Sequence, residues 1–545
     1  MACSKIFSGD LPELTNEIIK CLRKDFSTLY SCILVNRLWC RLAIPLLWED
    51  PFCIPTQNYS YIEIYLSYLK EDDKEKFNEY GIINNLLPSN TLLFNYPSLI
   101  KYLKTTRICF SVETWVGTLM NDNPEKLKKL VCRSLFEIFL ENEGNLHSFE
   151  FIMLTDNHFA YFNDTIELIL QNSIFTYNIK HLTLQINIRN NAMIIIPLLK
   201  FLYSNCSSIS SIVFDFHITN DNNRSLIEKC LLQIIISQHN LKRISFGYHT
   251  KNLYNPFLSL KNSNCSNTLN TIIFNGINFK NIITILQEVF DQLNVLESIH
   301  ILYCDSLNSD FVQQIIKVTK PFKLRSLFMN EILHIESLQF LLQKCGDYLE
   351  NFEILDFGYI GEIYKEQRRQ LLKLIMKYCT KIRYFFSDKF DDINIYQLIE
   401  NIGQTITYIT VILGIRNDCD ELLSSIVLRN LGQVLPTKLE YLSLTLSFNI
   451  SDFEIFLRNS QNTFIKKLLI RNMAKDDDKI ILSYIKEYIM KKKRVKYLAF
   501  SEYCSNDYTN RELFFSDDEV SEFKLHNVIV QKSSVLCISD INDII

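Results

Sequence analysis

The chain has 545 residues, of which 48% are hydrophobic and 22% charged, and its formal net charge is -4. That length exceeds one ordinary hydrophobic core and that composition excludes a disordered chain, so several domains or a repeat array are expected. With no basic excess, neither nucleic acid nor an anionic membrane is the default partner. Only 12 glycines and 11 prolines are present, which disfavours a hairpin-rich sandwich or barrel. The 16 cysteines are scattered and form no C-x-x-C pair, so they read as reduced, packed thiols of an intracellular protein, cytoplasmic or nuclear. The opening MACSKIFSGDLPELTNEI has no signal-peptide apolar core, and no apolar run approaches the roughly 18 residues of a membrane span.

The first element is a helix opened by Asp10-Leu11-Pro12-Glu13. Asp10 is its expected cap, Pro12 suits the first turn and Glu13 supplies a capping-box acid. Leu14, Ile18 and Leu22 follow as one apolar stripe. A second short helix is predicted around Ser27 to Cys32, and a third over Asn36 to Leu47, with Trp39, Ala43, Leu46 and Leu47 on related faces. Two of the chain's three tryptophans, Trp39 and Trp48, lie in this stretch. So small a module cannot bury two indoles well by itself, so a partner or the rest of the chain must stabilise it. Trp39 is expected to support the helices, and Trp48 to seal the module onto the segment beginning at Pro51. Residues 51–140 are predicted to be a helical linker and N-terminal cap.

Beyond residue 140 a spacing L-x-x-L-x-L recurs. It stands at Ile179, Leu182, Leu184, at Leu241, Ile244, Phe246, at Leu296, Ile299, Ile301, and at Leu439, Leu442, Leu444. About fourteen copies run from Leu146 to Val530 with a mean period of about 29 residues. The weakest is at Ile382, where Ser387 takes the last apolar place, and a possible extra copy lies near Ile108 and Phe110. Between copies, stretches such as SLIEKCLLQIII and QRRQLLKLIMKYC carry the one-faced periodicity of a helix. One strand and one helix per period cannot bury an apolar face alone, but stacked copies can. The predicted fold is α/β: a three-helix module, then a curved solenoid at 141–535 with parallel strands inside and helices outside, then a tail or cap at 536–545.

The repeats resemble the leucine-rich-repeat family in its cysteine-containing subtype. Cys206 and Cys379 precede their strands and Cys304 follows one, as that subtype prefers. The N-terminal order LP-x-E, Ile18, Leu22, Ser31-Cys32, Leu34-Val35-Asn36-Arg37, Trp39, Leu47-Trp48 resembles an F-box. That resemblance implies binding to a Skp-family adaptor and, through it, to a cullin and a RING protein, with Leu11, Pro12, Ile18, Leu22, Leu34, Val35 and Trp39 forming the adaptor-facing surface and its support. The competing reading makes the same residues a capping subdomain of the solenoid.

On the strands, the residues between the inward leucines face the concave side. The second place after each first anchor reads Ser148, His181, Ser211, Arg243, Thr271, Ser298, Ser326 and Asn351, then Tyr384, Tyr408, Tyr441, Lys467 and Tyr497. The tyrosines, with Lys467 and Arg471, form a candidate substrate surface, because tyrosine gives large contact area at little entropic cost. The alternative is an aromatic ladder that only stacks neighbouring strands. Lys475–Lys479 reads as a solvated turn, and Ser516–Glu519 as a tail or cap. Lys491–Arg494 reads as a helix-end charge cluster, with a nuclear localisation signal as the alternative.

No P-loop, G-x-S-x-G, G-x-G-x-x-G or H-E-x-x-H occurs, and the nine histidines do not cluster with cysteines at ligand spacing. No catalytic residue, metal or cofactor is therefore expected. The sequence-level expectation is a non-catalytic substrate-recognition subunit of a Skp–cullin–F-box ubiquitin ligase. The alternative is a repeat scaffold whose F-box-like cap takes no part in ubiquitin transfer. The protein substrate is not named by the sequence.

Overall fold

A computed structural model describes residues 11–23, 25–54, 59–82, 92–119, 123–188, 192–218, 223–247, 254–320, 323–329, 334–355, 362–387, 393–413, 421–474, 478–504, 509–512 and 517–538. The chain divides into two compact units, Met1–Ile272 with Gln292–Val295, and Ile273–Asp291 with Leu296–Ile545.

The first unit begins with three helices: α1 (Pro12–Cys21), α2 (Phe26–Ile33) and α3 (Arg37–Trp48). Asn36 caps α3, its side chain accepting from the Trp39 N–H at 2.9 Å, and Asp25 caps α2, accepting from the Thr28 N–H at 3.0 Å. Leu11 occupies the N-cap position of α1 without a side-chain cap, and Asp10 lies outside the described residues. The segment that follows carries the helices Tyr61–Leu66, Thr105–Gly117 and Pro124–Glu141 and also a strand.

A parallel ladder then starts earlier than the spacing predicts. Its first strand is β1 (Tyr102–Lys104), whereas Ile108 and Phe110, read as a possible repeat copy, belong to the Thr105–Gly117 helix. The true copy is Ile100, Leu103, Thr105, with threonine in the last apolar place. The Thr105 hydroxyl is fully buried, donates to the Ile152 carbonyl at 3.0 Å and accepts from the Ile152 N–H at 2.8 Å, which permits a polar group there. Strands β2 (Ser148–Met153), β3 (His181–Ile188), β4 (Ser211–Ile218) and β5 (Arg243–Phe246) follow in the row Tyr102, Ser148, His181, Ser211, Arg243. At each step one carbonyl accepts two N–H groups of the next repeat. Lys101 takes His147 and Ser148, His147 takes Lys180 and His181, Lys180 takes Ser210 and Ser211, and Ser210 takes Lys242 and Arg243. Strand β6 (Thr271–Asn275) falls at the division between the units.

In the second unit β7 (Ser298–Leu302), β8 (Leu324–Met329), β9 (Asn351–Ile354), β10 (Tyr384–Ser387), β11 (Tyr408–Ile412), β12 (Lys438–Leu446), β13 (Phe464–Asn472) and β14 (Val495–Cys504) pair in parallel, each with the next. Strand β15 (Thr509–Glu512) turns antiparallel on β14, and β16 (Ile529–Val530) pairs β14 in parallel. The row expected from the sequence is present as Ser326, Asn351, Tyr384, Tyr408, Tyr441, Lys467, Tyr497. One member differs. The β7–β8 register shifts between Ile299 and His300, so His300 rather than Ser298 stands beside Ser326. From His300 onward the slip is of two residues and keeps each side chain on its own face, which is why the pattern conceals it.

The leucine-place residues form the core between strands and helices: Leu182, Leu184, Leu327, Phe352, Leu442, Leu444, Leu468 and Ile470 are each at most 1% exposed. Ser387 interrupts this column because Arg368 of the Glu362–Tyr378 helix, itself buried, donates to the Ser387 hydroxyl at 2.5 Å. Nine of the described cysteines, among them Cys206, Cys304 and Cys379, are buried. Burial pushes the Cys206 thiol up to about 11 and those of Cys304 and Cys379 up to about 12, so they stay protonated at neutral pH.

Candidate interaction surfaces

The three-helix module has an inside and an outside, which the predicted stripe does not distinguish. Its core is Ile19, Leu29, Cys32, Trp39, Ala43, Leu46 and Leu47, with Leu22, Phe26 and Trp48 partly buried against it. Leu14 and Ile18, of the apolar stripe read with Leu22, are 47% and 37% exposed, while Thr15 and Ile19 point inward. Leu11, Leu14 and Ile18 share one face of α1 at i, i+3 and i+7. Leu34 and Val35, in the turn between α2 and α3, are 87% and 43% exposed. Of the seven residues the F-box resemblance implies, Leu11, Pro12, Ile18, Leu34 and Val35 are exposed, Leu22 is half-buried and Trp39 is buried. Two outward residues were missing from that set: Leu14 and Tyr30. The first was legible, being one turn from both Leu11 and Ile18.

The module is fixed to the strand ladder at Glu49. Its carbonyl accepts from the N–H groups of Lys101 at 2.9 Å and Tyr102 at 3.0 Å, the same two-for-one step that links later repeats. Its carboxylate, 3% exposed, pairs with Arg23 at 3.0 Å and Lys101 at 2.5 Å. Trp48 does seal the seam: its ring lies 5.3 Å from that of Tyr65, edge-on, and 4.2 Å from that of Tyr96. Thus the short module is stabilised by the rest of its own chain, and among the described residues its outer apolar side chains stay exposed.

The inner strand face of the second unit is less open than the sequence predicts. Tyr384 is buried with Ile273, Leu302, Phe328 and Phe386, and Tyr441 is 2% exposed. These two rings belong to a packed ladder and offer no open contact surface, because neighbouring rows supply other large apolar side chains such as Phe328 and Leu469. Glu353, also buried, accepts from the Tyr303 hydroxyl at 2.7 Å and the Tyr384 hydroxyl at 3.4 Å. Its charge and burial raise both phenols well above their ordinary range, burial being the larger cause. The remaining candidates keep some access: Tyr408, Arg471 and Tyr497 are half-buried and Lys467 is exposed.

Two charged runs resolve in part. Lys491, Lys492 and Lys493 are exposed in a turn, but Arg494 is buried and donates to the Tyr488 carbonyl at 2.8 Å and to Ser460. The basic cluster is thus three lysines, and Arg494 is a tie between repeats whose guanidinium burial holds down to about 10. Lys475, Asp476 and Asp477 lie outside the described residues, as does Ser516, and Asp517 to Glu519 open a helix. Among the described residues no group of three or more His, Cys, Asp or Glu side chains is placed to hold a metal ion, and no helix is long and apolar enough to cross a membrane. No protein-family model matches the chain, and no curated protein matches it.

Proposed function

We propose that the N-terminal module is an F-box that docks a Skp-type adaptor, and that the strand ladder behind it is a leucine-rich-repeat solenoid that holds a protein substrate for ubiquitination by the attached cullin–RING ligase. The observation that carries this reading is the exposed apolar set Leu11, Leu14, Ile18, Leu34 and Val35 on a module that its own chain already supports through Glu49 and Trp48. A mere terminal cap would turn such residues inward, whereas a docking module keeps them for a partner. The residue order LP-x-E through Leu47-Trp48 supports the same partner class. On this reading the chain catalyses nothing itself, and thioester chemistry belongs to the RING partner and its conjugating enzyme. Capture of the full chain by purified Skp-family adaptor tests it. Ile18→Asp with Leu34→Asp abolishes capture while the chain still unfolds cooperatively. Undiminished capture overturns the reading.

A further inference from the structure

Three rows of side chains cross the inner face of β12, β13 and β14. They are Tyr441, Lys467, Tyr497, then Ser443, Leu469, Ala499, then Thr445, Arg471, Ser501. The middle row is covered by the chain itself. The four-residue helix Ser533–Leu536 packs Leu536 and Cys537 against Leu469, Ala499 and Tyr497, leaving Leu536 2% exposed. The backbone of Ile538 hydrogen-bonds the Tyr441 hydroxyl. Ser533 anchors the other end, its N–H donating to a Glu512 carboxylate oxygen at 2.9 Å and its hydroxyl to the same atom. This segment does not serve to close the sheet, because β15 and β16 already pair with β14. It fills a surface.

The third row has no such cover among the described residues. Thr445 Oγ1, Arg471 Nε and Ser501 Oγ are buried polar atoms on three adjacent strands, and none has a hydrogen-bond partner among the described residues. Leaving one such group unpaired is costly, so three in one row mark a place built for a polar ligand. A guanidinium flanked by two hydroxyls suits a carboxylate. The row lies two residues along the strands from the Leu469–Ala499 row, about 7 Å away. One short peptide can therefore reach both.

We propose that this inner face is a peptide-binding site with two subsites. The apolar one, Leu469 with Ala499, is occupied by the chain's own Leu536. The polar one, Thr445, Arg471 and Ser501, takes a carboxylate two or three residues from the partner's apolar side chain. A partner peptide enters by displacing residues 533–538, which form too short a helix to hold themselves in place without that surface. The proposal rests on reading the inner face as the partner-binding side, and it names the chemistry of the partner segment.

The test uses the full chain and two labelled peptides, residues 531–538 and the same peptide carrying Ser533→Asp. In the Leu536→Asp chain both peptides bind roughly tenfold or more tightly than in the unaltered chain, because the resident segment no longer competes. Because an acid at 533 would face the Glu512 carboxylate that ends the row beside Ser501, the two peptides are compared in a Leu536→Asp chain that also carries Glu512→Gln; there the acidic peptide binds the more tightly, and Arg471→Gln removes that advantage. If Leu536→Asp impairs cooperative unfolding, Glu512→Gln alone, which loosens the Ser533 anchor and removes the carboxylate beside Ser501, replaces it. Equal binding to the altered and unaltered chains, or an acidic gain indifferent to Arg471, overturns the proposal. Adaptor capture is measured on the same samples, so a chain that captures adaptor but ignores the peptides refutes this site alone.

Discussion

Glu49 and Lys101 are joined twice, by a backbone N–H to carbonyl bond of 2.9 Å and by a side-chain ion pair of 2.5 Å. Glu49 follows the last module helix, and Lys101 directly precedes the first strand, so one residue pair couples the three helices to the ladder. The pair bears on how the module should be probed. Deleting residues 1–50 would remove Glu49 and leave the Lys101 and Tyr102 N–H groups without their acceptor. Point substitutions on the outer face leave that link intact.

Glu49→Gln keeps the carbonyl and removes the charge. Its partners Arg23 and Lys101 are 47% and 36% exposed and can be rehydrated, so the loss should fall between that of an exposed and that of a fully buried pair, about 1–3 kcal/mol. Denaturant unfolding of the full chain measures it. Unchanged stability would show that the ion pair contributes nothing net.

Trp39→Ala empties the centre of the module core formed with Ile19, Leu29, Ala43 and Leu47. A cost of roughly 3–5 kcal/mol is expected. Limited proteolysis reports it as early cleavage within residues 11–48, ahead of the strand ladder.

Lys491, Lys492 and Lys493 replaced together by glutamine should alter stability by no more than about 0.5 kcal/mol, since all three are exposed in a turn. Arg494→Ala should cost several-fold more, because it strips the buried Ser460 carbonyl and the half-buried Tyr488 carbonyl of their donor. Comparing the two melting curves separates surface charge from structural tie.

Acid weakens the first unit through its histidines. His147 is held below the ordinary imidazole range by burial, then by Lys101, and His181 by burial, then by His147 and Arg243. A histidine whose folded pKa lies below its unfolded value of about 6.5 leaves the unfolded state binding more protons. Stability is therefore complete above about pH 6.5 and falls as pH drops from there through the folded pKa values. Melting at pH 7.5 and pH 5.5 should differ in that direction, and His147→Gln with His181→Gln should reduce the difference.

Much of the ladder was legible because each apolar place repeats with both strand and helix periodicity, so the copies at Leu182, Leu327 and Leu442 all meet the core. The failures have local causes. Thr105 hides the first copy by satisfying its hydroxyl on β2, and Ser387 weakens another by receiving Arg368. The His300 register slip is silent in an alternating pattern. At the module, helical spacing identified an apolar stripe but not its direction: Leu14 and Ile18 face outward because Ile19 and Thr15 fill the inner side. The burial of Tyr384 and Tyr441 depends on residues distant in sequence, including Phe328 and Ile538, which strand-by-strand reading does not bring together.

The central claim is that the outer face of α1 and the Leu34–Val35 turn receives a Skp-type adaptor. Its most direct measurement is the affinity of purified adaptor for the full chain, compared with the chain carrying Ile18→Asp and Leu34→Asp. The account predicts tight binding to the first and a loss of roughly a hundredfold or more in the second, with both chains unfolding alike, because two central apolar anchors become charged. Absence of binding to the unaltered chain, or equal binding to both, would contradict it.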